Sequence, residues 1–214
     1  MGRVCATRTS HNMAANNITT RSLIGLDGWT PANETWTYAT ATTITVPSGA
    51  AAKYVKGDKI KLTQTTVKYF YIIGVADTVL TVSGGSTYTV ANAAISANYY
   101  SHEETPIGFP GMVDITVASW STSGTAFTNA PSTPTLKMTI AGNKCMLWGI
   151  FLTHGTSGGT GQFRATITSG QIPNRLDASV GNAFNISSLA NTGIAYFYDT
   201  NVIAIMKYDS TAIA

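Results

Sequence analysis

Val67-Lys68-Tyr69-Phe70-Tyr71-Ile72-Ile73-Gly74-Val75 decides how the rest of the chain is read. Successive side chains of a strand point to opposite faces, so Val67, Tyr69, Tyr71, Ile73 and Val75 share one side and Lys68, Phe70 and Ile72 the other. Apolar residues on both sides predict a strand covered on both faces. Just upstream, Lys59 to Thr63 alternates more plainly, with Ile60 and Leu62 facing one way and Lys59, Lys61 and Thr63 the other. Downstream, Gly74-Val75-Ala76-Asp77 turns the chain into a strand over Thr78–Val82, and Gly84-Gly85 turns it again into one over Thr87–Val90. Thr35 to Val46 reads as an alternating stretch whose larger members are Trp36, Tyr38, Ile44 and Val46, closed by Pro47-Ser48-Gly49. Ala91 to Ala97 reads as a short helical turn leading into Tyr99-Tyr100. Strands this short, with turn signals about every eight to twelve residues, predict a small barrel or sandwich.

A second module starts near Gly111. Strands are expected at Val113–Val117, Leu136–Ile140, Lys144–Thr153, Gln162–Thr168, Phe184–Ser187, Ile194–Tyr198 and Val202–Tyr208. The connections, notably Ser119–Pro134 and Gly155–Gly161, are rich in Gly, Ser, Thr, Pro and Asn. About seven short strands in about a hundred residues is the pattern of a β-sandwich, with the jelly roll as its usual viral form. Before Asp27 the chain has no sustained period and only a small apolar knot at Leu23, Ile24 and Leu26. The expected fold is therefore all-β: an extended N-terminal arm (1–27), a small β-barrel module (28–110) and a C-terminal, jelly-roll-like β-sandwich (111–214).

Composition points the same way. Hydrophobic residues are an ordinary 44%, but charged residues are only 11%, against about 25% in a typical soluble domain. Threonine fills the gap, at about a sixth of the chain, while Glu, Lys and Gln are scarce. The surface this predicts is neutral and covered with hydroxyls, which suits a part packed into an assembly better than a freely diffusing enzyme. Before the first acid, Asp27, the chain carries Arg3, Arg8 and Arg21, so the net charge of +3 sits there, leaving ten basic and ten acidic side chains from Asp27 onward. With no basic face, specific nucleic-acid binding is not expected, and the arm is expected to dock onto an acidic protein surface. Cys5 and Cys145 make no disulfide framework. The first thirty residues lack an apolar core of the signal-peptide kind, and the longest apolar stretch, Cys145 to Leu152, is too short to span a bilayer. Met1-Gly2 has Ala6 where a myristoylation signal wants Ser or Thr. The expectation is a protein made in the bacterial cytoplasm without an export signal and with no membrane partner.

Several runs between Gly28 and Pro110 carry a resemblance. They are Gly28-Trp29-Thr30-Pro31, Glu34-Thr35-Trp36-Thr37-Tyr38, Ile44-Thr45-Val46-Pro47, Gly57-Asp58-Lys59-Ile60-Lys61-Leu62-Thr63-Gln64, Lys68-Tyr69-Phe70-Tyr71-Ile72, Asp77-Thr78-Val79-Leu80-Thr81-Val82 and Gly108-Phe109-Pro110. In this order they resemble a β module of bacteriophage virion proteins. The second half is similar, more loosely, to C-terminal fibre domains. There a strand ending in a tight turn, here Ile140-Ala141-Gly142-Asn143-Lys144, precedes a long apolar strand and a Gly/Thr-rich hairpin. The resemblance implies a virion part of the tail-fibre, head-fibre or receptor-binding kind, often trimeric, attached to the particle or to a host surface.

A few catalytic motifs compete with this reading. Gly155-Thr156-Ser157-Gly158-Gly159 fits G-x-S-x-G, but a nucleophile elbow needs a helix after the serine, and Gln162 to Thr168 reads as a strand. A His102, Asp114, Ser157 triad has the right residue types in a known chain order and nothing else in its favour. His11, His102 and His154 are not spaced as metal ligands, and His102-Glu103-Glu104 is not H-E-x-x-H and reads as a loop charge cluster. On some phage fibres histidines bind metal at a trimer axis, the role left to His102 or His154. No paired carboxylates suggest a glycosidase, and Gly158-Gly159-Thr160-Gly161 leads into a strand rather than a phosphate-binding helix. Of Trp29, Trp36, Trp120 and Trp148, the last lies in the most apolar strand and reads as buried, while Trp120, in a Ser/Thr-rich segment, reads as the exposed one.

The expectation is a non-enzymatic virion structural protein, a trimeric fibre or tail-tip subunit with neither cofactor nor metal. Arg3, Arg8, Arg21, Leu23 and Ile24 are the virion-anchor candidates, and Trp120, Thr156, Ser157 and Thr160 the receptor-contact candidates. Its partners would be two further copies of itself, other virion proteins through the arm, and a host cell-surface glycan or protein. Two rivals stand beside it: a capsid head-fibre or decoration protein, and, in a different class, a hydrolase of host surface polymer built around the Gly155–Gly159 loop. For the hydrolase, Ser157→Ala would abolish activity; for the structural protein it would change nothing.

Overall fold

A computed structural model describes residues 27–126, 132–142, 144–152, 162–173, 180–184 and 192–207. The chain is all-β. Its regular structure is fifteen strands and one helical turn, α1 (Ala50–Lys53), among the described residues.

Seven antiparallel strands form the first sheet: β1 (Thr30–Pro31), β2 (Thr37–Thr40), β3 (Thr43–Thr45), β4 (Lys59–Thr63), β5 (Val67–Ala76), β6 (Val79–Ser83) and β7 (Ser96–Ser101). Their order is β1-β7-β4-β5-β6-β3-β2, with β1 and β2 at the two ends. The β4–β5 hairpin sits at its centre with Ile60 opposite Phe70 and Lys59 opposite Tyr71, which sorts its side chains onto two faces. Ile60, Leu62, Phe70 and Ile72 point into a first core with Trp36, Ile44, Tyr54, Leu80 and Val82. Tyr71 and Ile73 point the other way, into a second core. β5 is thus covered on both faces, as its two-sided apolar pattern requires. Each fully buried Ile or Leu contributes about 1.5–3 kcal/mol.

The second core is built where three sheets meet. Beyond β5, it takes Val113 and Ile115 from β8 (Val113–Ile115) and Leu136, Met138 and Ile140 from β10 (Ser132–Ala141). β10 pairs on its other side with β11 (Lys144–Leu152), so that sheet runs β11-β10-β8. Ile167 of β12 (Phe163–Ile167) and Ile203 of β15 (Val202–Lys207) close the core from a five-stranded sheet. That sheet runs β13 (Val180–Phe184), β14 (Thr192–Asp199), β15, β12, β9 (Val117–Thr122). Hydrogen bonds stitch the first sheet to this half: Ser83 Oγ donates to the Gln171 carbonyl at 2.7 Å, and the Ser86 N–H to the Asp114 carbonyl at 2.6 Å.

Several strand expectations need correcting. Thr35–Val46 is not one alternating stretch but the β2–β3 hairpin, turned at Ala41-Thr42 and braced by Thr40 Oγ1 against Thr43 Oγ1 at 2.6 Å. Thr87–Val90 is no strand: it makes a single bridge, Gly84 to Tyr88, and the Val90 N–H is spent on the Ala41 carbonyl at 2.9 Å. Ala91–Ala97 forms no helical turn, because the Gln64 side chain takes its backbone groups, accepting from Ala91 N–H at 2.9 Å and donating to the Ala91 carbonyl at 2.7 Å. Val113–Val117 breaks into β8 and β9 at Thr116, and Ser119–Thr122, expected in a connection, belongs to β9. β13 ends at Phe184, and the rest of the expected Phe184–Ser187 strand lies outside the described residues. Among the described residues no helix is long and apolar enough to cross a membrane.

Candidate functional site

Lys53, Lys56, Asp58, Lys59 and His102 come together where α1 joins β4. Asp77 starts α1: its carboxylate accepts from the Gly49 N–H at 2.8 Å and its carbonyl from the Ala50 N–H at 3.0 Å. After Tyr54 the chain turns back into the first sheet through Val55–Asp58. Asp58 Oδ2 accepts from the Val55 N–H at 2.8 Å, and the Asp58 carbonyl accepts from the Ile72 N–H at 2.8 Å. Gly57, at φ +99°, lets this loop pass against the β10–β11 turn, where any side chain would strike the backbone of Gly142.

β7 pairs with β4 so that Ser101 lies opposite Lys59, and this register brings the next residue, His102, to Asp58. Nδ1 of His102 stands 2.9 Å from Asp58 Oδ1. The carboxylate is 3% exposed and the imidazole 56%. Both Asp58 oxygens are therefore engaged, and the second ring nitrogen of His102 is left over. The result is a cleft of about 540 Å³ lined by Ala52, Lys53, Val55, Lys56, Gly57, Asp58, Lys59, His102 and Gly142.

Lys59 is the unusual member. It is 1% exposed, yet among the described residues its ammonium has no hydrogen-bond acceptor. What it has is the Tyr71 ring, with Nζ 5.9 Å from the centroid. Burial pulls its pKa below the ordinary lysine value, against the attraction of Asp58 and Glu104. Lys53, by contrast, has two acceptors, donating to the Ala32 carbonyl at 2.6 Å and to Glu34 Oε1 at 2.5 Å. Glu34 also accepts from Tyr54 Oη at 2.7 Å and Trp36 Nε1 at 3.2 Å. Burial raises the pKa of Glu34, but these donors and the Lys53 charge outweigh it, so the carboxyl titrates below its ordinary value. A similar cage holds Lys61, with Nζ 4.7 Å from the Trp29 centroid and 4.5 Å from that of Tyr99.

No Ser, Thr or Cys side chain lines the cleft, so its lining offers cations, a carboxylate and an imidazole but no nucleophilic hydroxyl or thiol. The conceivable triad is dismantled: His102 is held by Asp58, and Asp114 pairs with Lys137 at 2.7 Å. Among the described residues no three His, Cys, Asp or Glu side chains are grouped as metal ligands.

Of the receptor-contact candidates, Trp120 lies within β9, opposite Ala165 of β12, and is partly buried rather than presented on a loop. Thr156, Ser157 and Thr160 lie outside the described residues, as do the anchor candidates Arg3, Arg8, Arg21, Leu23 and Ile24, and His11 and His154. Trp29 and Trp36 are buried. Trp148 is the correction: it is 51% exposed, beside Met146 at 54%. Among the described residues β11 is an edge strand, and it turns Cys145 and Leu147 to the second core, which puts Met146 and Trp148 on its outer face.

Comparison of the chain with family models, with curated proteins and with solved structures found no match.

Proposed function

We propose that this chain is a structural component of a bacteriophage particle, a fibre or tail-tip subunit that works as a homotrimer, is anchored through residues 1–27 and contacts the host surface. The observation that carries the self-association is the outer face of β11. An edge strand offers unpaired backbone groups to a second chain. The outer face of β11 presents Met146 and Trp148, both about half exposed, with Lys144 at the start of the strand and Lys137 opposite Trp148 on β10. Trp and Met are enriched where two proteins bury surface against each other, while charge is depleted there. The occupant we assign is a second copy of the chain.

The segment that resembles phage virion modules lends separate support. Its motifs from Thr30 to Val82 fall on strands β1 to β6 or on the loops joining them, in a sheet with its own core, so the resemblance follows a coherent unit. The experiment is mass spectrometry of density-purified particles of the phage or prophage that encodes the chain. Recovery of the chain in stoichiometric amount with the particles supports the proposal. A chain abundant in the lysate and missing from the particles overturns it.

A further inference from the structure

We infer that the cleft between α1, His102 and the β10–β11 turn is a binding site for a small oxyanion, a carboxylate or phosphate group, with Lys59 as its deepest ligand. This goes beyond the virion reading and does not rest on it.

Burying an ammonium is costly unless acceptors replace its lost water. Lys59 is buried along nearly its whole length and has no acceptor among the described residues, although two carboxylates are close enough to attract it. Asp58 accepts from His102 on one oxygen and from the Val55 N–H on the other, and it forms no ion pair with Lys59. Glu104 attracts it through space without forming an ion pair. The Tyr71 ring face, 5.9 Å from Nζ, offers a weak interaction and leaves the N–H donors unsatisfied. Lys59 is one of the residues that line the cleft.

The rest of the cleft suits an anion that enters from solvent. Lys56 is exposed at its mouth, and with Nδ1 of His102 spent on Asp58, Nε2 can donate to an anion when the ring is an imidazolium. Hydrogen bonds between an ammonium and an oxyanion are among the strong ones. At about 540 Å³ the space exceeds a lone phosphate and can admit the sugar or residue that carries it.

The test titrates the full-length protein with inorganic phosphate at constant ionic strength, with chloride as the balancing salt. Saturable shifts in the amide NMR signals of Lys56, Gly57 and His102 are expected. Glucuronate and glucose 6-phosphate form a second arm, with glucose as the neutral control. Tighter binding of either than of phosphate assigns the oxyanion to a saccharide, and equal binding assigns it to the free ion. Lys59→Met keeps the stem beside Tyr71 and removes the charge, and it should weaken the tightest of these probes about tenfold or more. Absence of any saturable response in the unmodified protein, or a Lys59→Met protein that binds as well, overturns the inference. Should Lys59→Met not fold, the exposed Lys56→Glu decides in its place: affinity is expected to fall, and unchanged affinity overturns the inference.

Discussion

Replacing Gly57 with alanine probes one of the contacts that join the two halves of the chain. Two penalties act together. At φ +99° an L-residue is strained, which costs about 1–2 kcal/mol. The new Cβ would also stand 2.8 Å from the carbonyl carbon of Gly142, and closer still to its oxygen, where ordinary contact begins near 3.4 Å. Relieving that overlap means pushing the β10–β11 turn away from the first sheet, and overpacking of this kind costs about 1–3 kcal/mol. The sum is about 2–5 kcal/mol. Gly49→Ala isolates the first penalty, since Gly49 sits at φ +89° with nothing within 4 Å of a new Cβ. Urea unfolding followed by fluorescence of the buried Trp29 and Trp36 measures both variants. Gly57→Ala should be the less stable of the two by about 1–3 kcal/mol. If Gly57→Ala costs no more than Gly49→Ala, the β10–β11 turn does not press on the first sheet, and the reasoning fails.

Further outcomes follow from the same contacts. Glu34→Gln removes the charge that Lys53, Tyr54 and Trp36 converge on and should cost about 1–3 kcal/mol at pH 7 by chemical denaturation. Because the folded-state pKa of Glu34 lies below the ordinary value of 4.5, its contribution is complete above that pH and drains away as the pH falls through the folded value. Glu34→Gln should flatten that part of the stability–pH curve, and an unchanged curve would refute the assignment. Ile72→Ala, at the centre of the first core, should cost about 2–5 kcal/mol by the same denaturation, and less than 1 kcal/mol would mean the core relaxes around it. Trp148→Lys, on the outer face of β11, should leave monomer stability within about 0.5 kcal/mol while abolishing self-association in sedimentation.

The fold is most legible in the sequence where side-chain size alternates strongly. Lys59–Thr63 and Val67–Val75 correspond to β4 and β5 almost residue for residue, because Ile60, Leu62, Phe70 and Ile72 leave few ways to bury themselves. Local pattern is silent where small polar residues carry the backbone. Thr40 to Thr43 turns without Gly or Pro, and the turn shows only in hydroxyl contacts. The helical turn Ala50–Lys53 is too short for any periodicity, and it depends on Asp77, far along the chain. Trp148 reads as buried because so apolar a strand suggests a central one, whereas β11 lies at an edge, and edge position is a property of the assembled sheet. At the cleft only His102 stands out in the sequence. Asp58 lies 44 residues away, joined to it through the β4–β7 register. That the face of β4 carrying Lys59 is also covered depends on packing against the second half, which no local spacing encodes.

Light scattering on the purified full-length chain, set beside the Trp148→Lys variant, tests the homotrimer proposal most directly. The expected mass is three times the 22.5 kDa of one chain, falling to a single chain on substitution. A mass of 22.5 kDa for the unmodified protein at micromolar concentration, the same with and without Trp148, would contradict it.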